Sequence, residues 1–243
     1  VNRPRSDQPT RFAALDLART LALAGMVIFH LGFDLEQFGL IAPGTMTSGG
    51  WPWFARAVAA SFLFIAGIGL WLAHGKAIRW HPFLRRLGQI LIGAALVTVA
   101  TRMAFGPQFA FFGILHSMAV SSVIGLAFLR LPAALTAVAG LAAMAAPLLL
   151  RSPAFDAPWL LWTGLATVPV RSVDFVPTLP WLGPLLLGIA AGRLIPWDSL
   201  AAPSPGRLTR ALSLPGRHSL AVYLIHQPVL FAALTGLAWL RVL

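Results

Sequence analysis

Long apolar runs, separated by charged or Pro/Gly-rich stretches, constrain the fold of this chain more than any other feature. A helix needs about 20 mostly apolar residues to cross the hydrocarbon core of a bilayer. Runs of about that length fall at residues 13–35, 53–74, 85–104, 109–129, 132–150, 178–195 and 217–240. Lipid offers backbone polar groups no water to pair with, and a helix satisfies them internally. The expected fold is therefore all-α, a polytopic membrane bundle of about seven transmembrane helices forming one domain over 1–243. A mean hydropathy of +0.80 agrees with this reading, being too apolar for a soluble domain of this length. The stretch Ala157–Val170 is apolar too, but 14 residues suit an interfacial or re-entrant segment better than a span.

Charge placement orients the bundle. The net charge of +11 would suggest nucleic acid in a soluble protein. With the N-terminus cytoplasmic, however, the inner side receives Arg3, Arg5, Arg11, Lys76, Arg79, Arg85, Arg86, Arg130, Arg193, Arg207, Arg210 and Arg217. The outer side keeps Arg56, Arg102, Arg151, Arg171 and Arg241. That is a positive-inside bias, so the basicity is topogenic and no nucleic-acid partner is expected. An eighth span at 157–170 would put the Arg207–Arg217 cluster outside, which favours seven. The apolar run from Phe12 exceeds the core of a cleavable signal and is expected to stay as a helix. The linker Asp198–Arg217 is Pro-, Ser- and Gly-rich, with Leu208–Leu214 able to form a short surface helix.

The first span, LDLARTLALAGMVIFHLGFDL, carries Asp16, Arg19, His30 and Asp34. At about 100° per residue all four fall within an arc of roughly 60°, spread over about 27 Å of helix. A charged stripe at bilayer depth costs at least about 2.5–3.5 kcal/mol if it faces lipid, so it must line a cavity or a helix interface. Asp16 and Arg19, at i,i+3, can pair near the inner end, where positions close to the headgroups also suit a topological role. His30 and Asp34, at i,i+4, sit in the outer half, where the carboxylate can accept from one ring nitrogen and leave the other as a base.

Further polar positions recur in other spans. FFGILHSMAVSS places His116 and Ser117 in the fourth span, near the depth of His30. GRHSLAVYLIHQPV puts Ser219, Tyr223 and His226 on one face of the last span, with His218 at the membrane edge. Asp174, an acid in an outer loop, is expected to be solvated. The basic mouth HPFLRR, with His81, Arg85 and Arg86, suits phosphate binding, but the inside bias already accounts for it. Gly67, Gly69, Gly183, Gly188 and Gly192 suit close helix packing. The chain has no cysteine, which excludes disulfides and thiolate sites. It carries no H-x-x-x-H, H-E-x-x-H, G-x-S-x-G, Walker or dinucleotide motif either, and no metal cofactor is expected.

In order, LDLARTLALAGMVIFHLGFDL, FFGILHSMAVS, DFVPTLPWLGPLLLGIAAGRL and GRHSLAVYLIHQPV resemble the bacterial members of the heparan-alpha-glucosaminide N-acetyltransferase catalytic-domain family, from about residue 11 to 230. Arg19 to His30 also resembles the R-x10-H element of the wider membrane acyltransferase superfamily. The resemblance implies acetyl-CoA bound from the cytoplasmic side as donor and an acyl group delivered across the membrane to a carbohydrate-type acceptor. It implies His30 as the catalytic histidine and Arg19 as a structural or donor-binding residue. In the lysosomal enzyme that names the family, the catalytic histidine lies in the loop after the first span. Here that loop, EQFGLIAPGTMTSGGWPW, holds no histidine, so acylation of an amino sugar is weakly supported.

The expectation is an acetyl-CoA-dependent acyltransferase of the bacterial inner membrane. Its catalytic residues are His30 and Asp34, and Asp16, Arg19, His116, Ser117, Tyr223 and His226 are candidates for donor and substrate contacts. Its partners are the lipid bilayer, acyl-CoA and the acceptor, with homo-oligomerisation left open. The rivals are a transporter or channel using the same stripe as a permeation path, and a scaffold whose stripe only binds a partner helix.

Overall fold

The computed structural model describes residues 12–197 and 206–240. Its elements are α1 (Ala13–Gln37), α2 (Trp51–His74), α3 (Trp80–Phe105), α4 (Ile114–Gly125), α5 (Ala133–Leu149) and α6 (Thr178–Leu194), then the short α7 (Arg207–Leu212) and α8 (Leu214–Arg217), and finally α9 (Ser219–Trp239). Among the described residues the only strand-like feature is an isolated bridge between Phe112 and Phe175. The seven long helices coincide with the seven apolar runs. Four of them, α1, α2, α3 and α9, are long and apolar enough to cross a membrane, while α4, α5 and α6 are shorter apolar helices. Much of their surface is exposed hydrophobe, such as Leu21, Trp53, Met103, Leu148 and Trp239, as suits contact with lipid.

Local sequence explains where several helices begin. Pro52, Pro132 and Pro177 stand at the starts of α2, α5 and α6, where the missing N–H goes unused in any case. The fourth helix starts at Ile114, later than the expected 109. Gly106, at φ +56°, opens a one-turn 3-10 helix to Gln108. The chain then runs extended and pairs with the segment before α6: Val173 N–H donates to the Gln108 carbonyl at 2.8 Å and Val176 N–H to the Phe112 carbonyl at 3.0 Å. These bonds satisfy backbone groups that a longer α4 would have satisfied internally. Pro158–Thr163 forms a six-residue 3-10 helix. It is far too short to span, as expected for a stretch of that length. α7 and α8 cover the surface helix expected at 208–214, and residues 198–205 of that linker lie outside the described residues.

The main core gathers α2, α4, α5 and α6 around Leu63, Leu70, Leu182, Leu185, Leu186 and Ile189. α6 crosses α2 with the two backbones in contact: a Cβ at Gly188 would lie 2.0 Å from the Phe64 carbonyl oxygen, and one at Gly67 would lie 2.0 Å from that of Leu185. Any side chain there would push the helices apart. Association in lipid relies on such close packing because apolar burial supplies no drive between helices. α1 lies outside this core, against α2, α8 and α9. At one end of the bundle Arg193 donates to the Leu131 carbonyl and stacks over Trp71, tying the ends of α6, α4 and α2 together.

Candidate active site

The polar stripe of α1 faces the last helices along its whole length. At the end where α1 begins, the Asp16 carboxylate is only 2% exposed. Arg19 Nη1 donates to Asp16 Oδ1 at 3.0 Å, and Arg217 Nε stands 3.5 Å from Oδ2. Thr20 locks the same junction: its hydroxyl donates to the Leu212 carbonyl at 2.8 Å and accepts from the Gly216 N–H at 3.0 Å. A buried carboxylate flanked by two guanidiniums satisfies the rule that buried charge must be paired.

Four turns further along, the His30 ring meets the His226 ring with centroids 4.9 Å apart. His226 Nδ1 lies 2.6 Å from the Tyr223 carbonyl oxygen. A carbonyl only accepts, so Nδ1 carries the proton in the neutral ring and Nε2 keeps a lone pair. That Nε2 is buried and without a hydrogen-bond partner. One turn beyond His30 is Asp34, 1% exposed. Its Oδ1 accepts from Gln227 Nε2 at 2.7 Å, which departs from the expected bond to His30. Asp34 points across the seam, and Gln227, next to His226 on α9, reaches it there. Among the described residues His30 makes no hydrogen bond, and its neighbours are the rings of His226 and Phe29.

Between α3, α8 and α9 opens a cavity of about 560 Å³. Arg19, Arg86, Arg217, His218, Gln89 and Ser219 give it a strongly basic wall, and Ile92, Leu220 and Leu224 an apolar one. The positive end of α9, which starts at Ser219, adds to the field. The inside bias accounts for Arg86 in the sequence, yet it lines this cavity, and among the described residues it has no ion-pair partner. His218, expected at the membrane edge, is exposed and lines the same space. α9 connects the cavity to the histidine pair, since the seven steps from Ser219 to His226 cover about 10 Å of helix.

The remaining candidates divide. Tyr223 lines a smaller adjoining cavity, and its ring lies 5.8 Å from that of His226. His116 sits in the first turn of α4. Its Nδ1 accepts from the Gly113 N–H at the start of the helix at 3.3 Å, and Thr98 Oγ1 is 3.5 Å from Nε2. That is the structural role of a satisfied histidine. Ser117 is fully buried and lines neither cavity. Among the described residues no group of three or more His, Cys, Asp or Glu is placed to hold a metal ion.

Asp174, expected to be solvated, instead packs on the start of α4, where its Oδ2 accepts from the Ile114 N–H at 3.2 Å. A Cβ at Gly113 would stand 2.1 Å from that oxygen, so only glycine admits the loop. Burial pushes the carboxyl up to about 6, opposed by the Ile114 hydrogen bond. Native protein then holds a proton that unfolded chain has lost between the ordinary value of 3.8 and about 6. Stability should fall as pH rises through that window and level off above it. Asp174→Asn keeps an acceptor for Ile114 and removes the charge, so its melting temperature should exceed wild type at pH 7 and converge with it at pH 4. Thermal unfolding at the two pH values checks this, and an equal gap at both would refute the burial account.

The family model for the catalytic region of heparan-alpha-glucosaminide N-acetyltransferase matches residues 11–228. No curated protein and no solved structure matches the chain. The matched region holds the α1 stripe, both walls of the large cavity and the His30–His226 pair. On that evidence the chain belongs to the heparan-alpha-glucosaminide N-acetyltransferase catalytic family, a family of membrane acetyltransferases.

Proposed function

We propose that this protein is an acyltransferase of the bacterial inner membrane, spanning it seven times with its N-terminus in the cytoplasm. It moves an acetyl group from cytoplasmic acetyl-CoA to a sugar-type hydroxyl or amine acceptor at the other face. The observation that carries the reading is the link, along one helix, between a basic cavity and a half-buried histidine pair. Three arginines and a helix N-terminus fit a ligand rich in phosphate, and Arg in particular pairs with phosphate oxygens in bidentate fashion. The apolar wall of Leu220 and Leu224 leads the ligand's thioester arm up α9 toward Tyr223.

At the reacting centre, half-buried His30 takes the proton from the acceptor O–H or N–H. The acceptor atom then attacks the thioester carbonyl carbon, the C–S bond breaks, and the departing thiolate recovers the proton from the His30 imidazolium to leave as free thiol. His226 acts through His30: its ring lies 4.9 Å from that of His30, and its Nε2 lone pair, left free by the Nδ1 bond to Tyr223, stabilises the imidazolium while it exists. Asp34 and Gln227 tie α1 to α9 at this depth and so hold the two rings together.

Calorimetry of acetyl-CoA with the purified, detergent-solubilised protein tests the donor site. Saturable binding is expected. A folded protein that binds no acetyl-CoA, but carries solute flux in vesicles, would move the assignment to a transporter.

A further inference from the structure

The small cavity beside the basic one has a volume of about 30 Å³. Its walls are Phe62, Ile90, Ile114, Leu115, Met118 and Tyr223, and it shares Arg86, Ser219 and Leu220 with the basic cavity, so the two meet at those residues. At its far wall the Tyr223 ring touches His226. A phosphate-binding space thus opens into an apolar pocket that ends beside the histidine pair.

We propose that this pocket seats the acyl end of the thioester, and that Met118 sets the length of acyl group the protein accepts. The inference rests on the donor reading above. A water-sized group needs about 10–15 Å³ by the same measure, so the pocket takes two or three heavy atoms. An acetyl group has three heavy atoms; a butyryl group adds two methylenes. Most of the wall cannot yield. Ile90 and Leu115 are 4% and 5% exposed and pack together in one cluster with Ala94 and Ala119. Met118 differs, being partly buried, unbranched and placed where the two hydrophobic clusters meet. Forcing extra methylenes into a packed wall is costly, whereas Met118→Ala removes three heavy atoms and makes room for about two methylenes.

Dissociation constants of acetyl-, propionyl- and butyryl-CoA, measured by calorimetry on purified wild type, Met118→Ala and Phe62→Leu, test the assignment. Wild type should bind butyryl-CoA at least about tenfold more weakly than acetyl-CoA. Met118→Ala should close most of that gap while leaving acetyl-CoA affinity within a few-fold, and Phe62→Leu serves as a second way to enlarge the pocket. Equal affinities for all three thioesters in wild type, or a gap unchanged in both folded variants, would overturn the seat and leave the donor site standing. Failure of every thioester and of free CoA to bind folded wild type would overturn the donor site and the seat with it.

Discussion

His30→Ala should lower acyl transfer by about 10²–10⁴-fold, the range a positioned general base contributes, with the melting temperature close to wild type. The side chain is half-buried and, among the described residues, makes no hydrogen bond, so its removal leaves no buried partner unsatisfied. His226→Ala should cost less, about 10–100-fold, because it removes a hydrogen bond to a transient cation while the base remains. It should also displace the acid limb of the pH–rate profile, since His30 then titrates without the ring that now lies 4.9 Å from it. The double variant should be no slower than His30→Ala alone, as expected of groups that act as a unit. Folded His30→Ala with wild-type turnover would refute the assignment, and equal, additive losses would mean the two rings act separately.

Arg86→Ala should weaken acetyl-CoA binding by about 10–100-fold, equivalent to one or two charge-assisted hydrogen bonds to phosphate. It should not destabilise the fold. Arg86 is solvent-exposed, and the other cations of the cavity wall, Arg19 and Arg217, are engaged by Asp16. Removing Arg86 also relieves repulsion from Arg19. This separates it from Arg217, whose loss would leave Asp16 short of a partner and confuse binding with stability. Calorimetry on Arg86→Ala, with thermal unfolding alongside, checks the result. Undiminished affinity would place the donor elsewhere than the basic cavity.

The fold was legible where it depends on local patterning. Each of the seven long helices overlaps one of the seven apolar runs, and the 14-residue stretch at 157–170 holds only a six-residue 3-10 helix. The late start of α4 was not legible, because the bonds that hold Phe109–Gly113 extended come from Val173 and Val176, some 60 residues away. The site divides along the same line. That Asp16, Arg19, His30 and Asp34 share a face follows from helical periodicity, and Asp16, His30 and Asp34 each meet a residue of the last helices. Arg86 suits phosphate binding and topology equally in the sequence, because a cavity arginine and a topogenic arginine look alike there. Gln227 carries no local signal beside the more conspicuous His226, and nothing local signals that the outer-loop acid Asp174 will pack on α4.

Hydropathy, length and helical period, all properties of short stretches, were enough to establish apolar helices, a basic end and a polar stripe turned away from lipid. Which residue answers each member of that stripe was decided only in the folded bundle. Asp34 meets Gln227 across 193 positions, Asp16 meets Arg217, and His30 meets His226. Periodicity states which way a side chain points, whereas its partner depends on which helix packs there and at what height. In this protein that is set by close helix contact, as where Gly67 and Gly188 let α2 and α6 touch, and by the turn of α7 and α8 that brings α9 back onto α1.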